Sequence, residues 1–380
     1  MININNDNNL TGGKVIASGG FGCIFQPALK CKTQSKTKNK HTNRISKLMT
    51  KKHARTEYKE ITKFQNLLKQ IPHYSDYFLL NDFVLCKPTK LSFKDLTNYK
   101  KKCKALNKKN ITVKKVNSSL NKLLTLNMPY GGVDLKHVDM SFTKLNVALI
   151  RLLTKGIVPM NQLEVYHCDI KESNILIKHN FARLIDWGLS TEFKHGQPIP
   201  KVLCNRPLQY NVPFSNILFN KYFLKEYHGF LKKTKNPSDE SIRKFVGDYI
   251  FFWSKIRGVG HLYLINKKMA QLFNNANNKN DNDKKNKVIY DFTYYYIIEY
   301  LFQILKTFTK NETFELYAYF SKVFIKNIDI WGFVTTYCMF INNKNKNTQV
   351  FKKIKYAIVH CLFENPTKPI DVKQIISVLK

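Results

Sequence analysis

The chain predicts an α+β fold, with a small β-rich N-terminal part followed by a larger α-helical part. Three observations predict it. Strand-like segments occupy 13–26, the neighbourhood of Lys47, 78–90 and 122–130, with one strongly helical period at 52–70 between them. From 136 onward the apolar spacing is mostly helical. The 380 residues, 43% of them hydrophobic, are ample for a sizeable core and rule out wholesale disorder.

Taken in order, 1–12 is a tail and 13–26 reads as strand, turn, strand, with Gly19, Gly20 and Gly22 at the turn. A short apolar strand surrounds Lys47. The helix at 52–70 turns Ile61, Phe64, Leu67, Leu68 and Ile71 inward. Later helices are expected at 143–158, 217–232, 239–256, 290–309, 312–326, 329–342, 350–363 and 371–379. Segments 30–44, 97–118 and 274–287 are rich in Lys and Asn with little apolar periodicity, and are expected to be surface insertions. The implied organisation is 13–130 and 131–380, with 217–326 a packed helical block in the second part.

Net charge is +37, from 63 Lys and Arg against 26 Asp and Glu. Such a surface attracts polyanions, whether nucleic acid, acidic proteins or an anionic membrane face. The same excess follows from a Lys/Asn-biased composition, and the basic residues are spread along the chain with few aromatics among them. The 8 cysteines are scattered, with no Cys-x-x-Cys pair, which predicts reduced thiols in an intracellular protein. The first residues show neither a basic n-region nor an apolar h-region of a signal peptide. The most apolar stretches are interrupted by charges, so no transmembrane span is expected.

The most informative segment is His167-Cys168-Asp169-Ile170-Lys171-Glu172-Ser173-Asn174, followed 12 residues after Asn174 by Asp186-Trp187-Gly188. It sets a carboxylate, an ammonium and an amide at short steps, with a second carboxylate beyond an apolar run. Those groups suit phosphoryl transfer from a magnesium nucleotide. The combination resembles the catalytic loop and metal loop of protein kinases. The resemblance implies a bilobal protein-kinase-like fold with ATP and Mg²⁺ as cofactors and a protein substrate. Asp169 would accept the substrate hydroxyl's proton, and Lys171 would neutralise the transferring phosphoryl. Asn174 and Asp186 would hold the metal. Lys at this step is typical of Ser/Thr specificity.

The resemblance extends to the first part. Ala17-Ser18-Gly19-Gly20-Phe21-Gly22 is similar to a kinase glycine-rich loop, although Ala17 stands where the first glycine is usual. An ordinary hairpin turn explains the segment equally well. Lys47 would bind the α- and β-phosphates, or be one of many surface lysines. Its carboxylate partner would be Glu60, with Glu57 the competitor. Leu126-Asn127-Met128-Pro129-Tyr130-Gly131-Gly132-Val133-Asp134 looks like the hinge, with Met128 as gatekeeper, Tyr130 in the adenine-pairing stretch and Asp134 facing the ribose. Read as bare sequence, it also fits a strand–turn–helix junction. Leu176 would pack beneath adenine, with Ile24 and Ile45 above.

Several departures matter. Cys168 replaces the arginine that in kinases grips a phosphorylated activation loop, so activity independent of that phosphorylation is expected. Trp187 replaces the usual Phe. In the stretch 205–215, Phe214 replaces the glutamate of the Ala-Pro-Glu motif, and 365–369 lacks its arginine partner. Asn327-Ile328-Asp329-Ile330-Trp331-Gly332 resembles the start of the central helix whose Asp ties down the catalytic loop. Composition, the long insertion and Asn205-Arg206-Pro207 look like the divergent kinases of large DNA viruses, which would place the chain in host cytoplasm or virion. Other readings share parts of the pattern. An aminoglycoside-type phosphotransferase typically lacks the Lys171 step and the Asp-Ile-Trp-Gly helix. A pseudokinase scaffold would have lost a catalytic group, and all are present. A basic nucleic-acid-binding protein would show salt-dependent retention without ATP turnover.

Overall fold

The computed structural model describes residues 13–32, 43–273, 293–341 and 348–380. The chain divides into two compact units, Met1–Gly132 and Val133–Lys380. The expected segment 274–287 and most of 30–44 lie outside the described residues.

The first unit is built on an antiparallel sheet of β1 (Lys14–Ser18), β2 (Gly22–Gln26), β3 (Arg44–Thr50), β4 (Val84–Cys86) and β5 (Leu123–Pro129), in the order β1-β2-β3-β5-β4. Helix α1 (Lys51–Leu68) begins directly after β3 and buries Ala54, Ile61, Phe64 and Leu68, one stripe at helical spacing. Paired residues share a sheet face, and the register pairs Ile24 with Lys47, Lys47 with Leu126, Ile45 with Met128 and Ala17 with Ile24. Those residues therefore line a single face. The other face, with Val15, Cys23, Phe25 and Leu48, is buried under Leu91, Tyr99, Cys103, Leu106, Ile111 and Val116.

That burial corrects the expectation for 97–118, which is no surface insertion. Its short helices α2 (Tyr99–Lys102) and α3 (Lys104–Asn107) and the backbone around them supply Tyr99, Cys103, Ala105, Leu106, Ile111 and Val116 to the sheet's core, while the lysines of the helices stay at the surface. The thiol expectation is corrected as well. Cys23 is bonded to Cys103, and Cys31 to Cys86, across sequence separations of 80 and 55 residues. Cross-links closing loops of that length restrict the unfolded chain by roughly 4 kcal/mol each in the chain-entropy description. Cys168, Cys204, Cys338 and Cys361 are free.

The second unit is mainly helical. It opens with a three-stranded sheet of β6 (Val133–Asp134), β8 (Ile175–Lys178) and β9 (Phe181–Leu184), and a ladder of β7 (Val165–Tyr166) with β10 (Thr191–Glu192). Helices α4 (Phe142–Leu152) and α5 (Val158–Gln162) precede β7. The stretch 217–326 is largely helical in its described part, including α6 (Lys221–Lys233), α7 (Asp239–Arg257) and α8 (Val259–Leu272). Asn220 and Ser238 cap α6 and α7 by accepting from Phe223 N and Ser241 N. The helix Ile325–Thr336 is buried on every side. No helix among the described residues is long and apolar enough to cross a membrane.

Candidate functional site

The candidate residues fall in both units. In the first, the β1–β2 turn is closed by Gly19 N donating to Gly22 O at 2.9 Å. A Cβ on Gly22 would lie 2.3 Å from Met49 Cγ and 2.7 Å from Leu48 O, so only glycine fits against β3. Gly20 stands open to its surroundings, and Phe21 at the tip is exposed and stacks on His53 with ring centroids 4.5 Å apart. Gly19 lies close to Lys47, since an added Cβ would sit 3.7 Å from Lys47 Cε. The single sheet face thus presents Ala17, Ile24, Ile45, Lys47 and Met128 beside the glycine turn.

Lys47 Nζ donates to both carboxylate oxygens of Glu57 at 2.7 Å. Glu60 is not the partner. Helix α1 starts at Lys51 without an intervening loop, and Glu57 falls in line with the buried stripe of Ala54, Ile61 and Phe64. Glu60 is rotated roughly 80° away from that stripe at 100° per residue. Tyr130 N donates to Asn43 O at 3.0 Å, which fixes the chain just beyond β5.

In the second unit, the β8–β9 hairpin does the positioning. Its register pairs Ile175 with Leu184, and Ile185 N donates to Asn174 O at 3.0 Å. Asn174 and Asp186 are therefore neighbours across the open end of one hairpin. β6 runs beside β8 and sets Asp134 opposite Leu176. Asp134 is engaged by His137 Nδ1 at 2.7 Å. Asp186, exposed and at φ +66°, is set in left-handed backbone by the turn that follows β9.

Asp169 is 6% exposed, and every group approaching its carboxylate is a donor. Oδ2 accepts from Lys171 Nζ at 2.7 Å and from Asn174 Nδ2 at 3.1 Å. Oδ1 accepts from Asn211 Nδ2 at 3.0 Å, with Arg206 Nη2 3.8 Å away. Below the loop, the buried Asp329 carboxylate accepts from His167 N, Cys168 N and Asn161 Nδ2, each at 2.8 Å. Cys168 adopts φ +61°, a conformation costing about 1–3 kcal/mol in a non-glycine residue. Burial raises the carboxyl of Asp329, opposed by His167 and these donors. Burial also pushes the Cys168 thiol far up, so it stays neutral.

Gly332, one turn along from Asp329, lets the loop come close, because a Cβ there would lie 2.7 Å from Ile170 O. Trp331 Nε1 holds Tyr210 O at 2.9 Å. Trp187 is buried edge-to-face on His167 at 5.0 Å. Phe214 fills the place of the missing glutamate by packing on Trp331 and Phe363, each with centroids 5.1 Å apart. An aromatic cluster thus stands at the position where the kinase pattern has an ion pair, and as the sequence lacks both partners of that pair, no buried charge is left uncompensated.

The insertion reaches this loop. From α8, Lys268 Nζ lies 3.5 Å from Glu172 Oε1 and 4.7 Å from the centre of the Tyr210 ring. The Tyr210 hydroxyl donates to Glu172. Burial and the charge of Lys171 hold His261, also on α8, below the usual imidazole range. Arg206, Asn211 and Lys268 were not assigned from sequence. Arg206 and Asn211 stand in the quoted stretch 205–215, where a buried-cation role has no sequence signal of its own.

Asn174 and Asp186 are hard oxygen donors of the kind that suits Mg²⁺. Donation of Asn174 Nδ2 to the Asp169 carbonyl at 2.9 Å turns the amide so that its oxygen is the end open to a cation. Among the described residues, no three His, Cys, Asp or Glu side chains converge on a common metal position. Neither a scan of protein-family models nor a search of curated proteins finds a match to the chain.

Proposed function

We propose that the chain is an ATP- and Mg²⁺-dependent protein kinase with a divergent bilobal kinase fold, transferring the γ-phosphoryl group to Ser or Thr hydroxyls of protein substrates. The observation that carries this reading is the donor-ringed Asp169 at hydrogen-bonding distance from Lys171 and Asn174, with Asp186 beside Asn174 across the hairpin.

In this reading Asp169 orients the acceptor hydroxyl and takes its proton. Lys171 neutralises charge on the phosphoryl in flight. Asn174 and Asp186 would hold Mg²⁺, which would supply neutralisation of the phosphate charge. Lys47, aligned by Glu57, binds the α- and β-phosphates, while the glycine turn offers backbone N–H groups. Ile24, Ile45 and Met128, half-buried on the face of Lys47, offer the adenine an apolar surface, and Leu176 is assigned to the same ring by the kinase resemblance alone. Asp134 serves the ribose and Tyr130 the adenine edge. With Cys168 in place of arginine, activity needs no phosphorylated activation segment.

The test is incubation of the full chain with γ-labelled ATP, Mg²⁺ and basic and acidic test proteins. Label is expected on Ser or Thr, lost with a chelator and restored by added Mg²⁺. Absence of label under every condition would sink the reading. A second expectation separates the two glutamates. Glu57→Gln should lower kcat/KM about 10- to 100-fold, because a phosphate-binding ammonium displaced by an ångström loses that much. Glu60→Gln should stay within about twofold, as expected of a change off the buried stripe. Equal effects would refute the pairing.

A further inference from the structure

Arg206 is a cation that is 6% exposed, and each of its three guanidinium nitrogens donates a hydrogen bond. Nη1 donates to Cys168 O at 2.7 Å. Nε and Nη2 donate to Gln209 Oε1 at 3.1 and 2.9 Å. Nη2 also lies 3.8 Å from Asp169 Oδ1. The left-handed peptide at Cys168 is thus held from both sides, its N–H by Asp329 and its C=O by Arg206. The position that in kinases carries the loop-gripping arginine is a neutral thiol here, and a guanidinium arrives at the same loop from 38 residues downstream of that thiol.

Arg206 is itself held by the insertion. Trp253 Nε1, on α7, donates to Arg206 O at 2.9 Å. Arg257, one turn on, donates to the neighbouring Asn205 O. Trp253 is 5% exposed, so that hydrogen bond is shielded from water. Below this, Asn211 of the same stretch reaches Asp169 Oδ1 and Ile170 O at 3.0 and 3.2 Å. Segment 205–211 is therefore pinned to the catalytic loop by its own side chains and to α7 by its backbone. Nothing in that set of contacts calls for a phosphate.

We infer that Arg206 is a positioning residue for Asp169, and that helix α7 latches it in place through Trp253, so the insertion supplies from within the chain the order that a phosphorylated activation segment supplies in kinases resembling this one. The inference rests on the proposed phosphoryl-transfer reading. It gives the 217–326 block a task, to keep the segment docked on the loop.

The experiment measures kcat and KM for ATP, together with thermal melting, for wild type, Arg206→Met, Arg206→Lys and Trp253→Phe. Arg206→Met should lower kcat about 100-fold at an unchanged KM for ATP, the loss expected of a misplaced catalytic group. Arg206→Lys keeps the charge but cannot fork between Cys168 O and Gln209, and should recover part of the loss. Trp253→Phe removes the N–H while keeping a ring, and should lower kcat about tenfold. Wild-type kcat in a folded Arg206→Met, or in a folded Trp253→Phe, overturns the inference. Should Arg206→Met not fold, Arg206→Lys decides, and wild-type kcat there overturns it equally. A wild-type protein without phosphoryl transfer would instead bring down the underlying reading, so the two failures are distinguishable.

Discussion

Asp169→Asn is expected to lower kcat by about 10³-fold, the middle of the range for removing a positioned proton acceptor. The geometry makes this change more than the loss of a base. Both carboxylate oxygens face donors, Lys171 and Asn174 on Oδ2 and Asn211 and Arg206 on Oδ1. Whichever way an asparagine amide is turned, its NH₂ meets one cation that can only donate, Lys171 or Arg206, beside a second amide NH₂ that would have to turn over. The loop should shift locally, and melting should fall modestly while the fold persists. Label incorporation from γ-labelled ATP measures the first effect, and thermal melting the second. Transfer within tenfold of wild type would remove Asp169 from the chemistry.

Asp329→Ala should be the most destabilising single change in the second unit. It strips the acceptor from three buried donors, His167 N, Cys168 N and Asn161 Nδ2. Breaking a buried charged network by removing one partner costs about 3–5 kcal/mol. The same deletion frees Cys168 from its left-handed conformation, so the loop bearing Asp169 should relax. Activity should then fall about 100-fold even where the protein stays folded. Denaturant unfolding of wild type and variant measures the stability difference. A difference under about 1 kcal/mol, within the ordinary spread of point mutants, would show that the loop has another anchor.

How much of this could be read from the sequence depends on how local each feature is. The groups from Asp169 to Asp186 are legible because one short hairpin brings them together, and hairpin register follows from spacing. Lys47 is legible as part of a strand, but its partner is not. Choosing between Glu57 and Glu60 needs the phase of α1 relative to the sheet, and that phase is set by the helix starting directly after Thr50. Segment 97–118 was misjudged because its core residues, Tyr99, Cys103, Leu106, Ile111 and Val116, follow neither a helical nor a strand period. Two four-residue helices and irregular backbone bury them instead. The cysteine pairs share that cause, since Cys23 meets Cys103 only once this segment lies on the sheet. Arg206 is visible in the sequence, yet its partners come from the loop bearing Asp169 and from α7, which only tertiary packing brings to it.

The anchoring of the glycine turn has a consequence for how freely that turn can move. Ser18 Oγ, at its start, accepts from Ala105 N at 3.1 Å, and Cys23, at its end, is covalently joined to Cys103. Both ends are thus moored to the same pair of short helices, and flexing is confined to Gly19, Gly20, Phe21 and Gly22. A turn with such a narrow span has little disorder to surrender on closing over the proposed nucleotide. Its entropic penalty on closure should come from those few residues alone, at no more than about 1–2 kcal/mol of backbone freedom each.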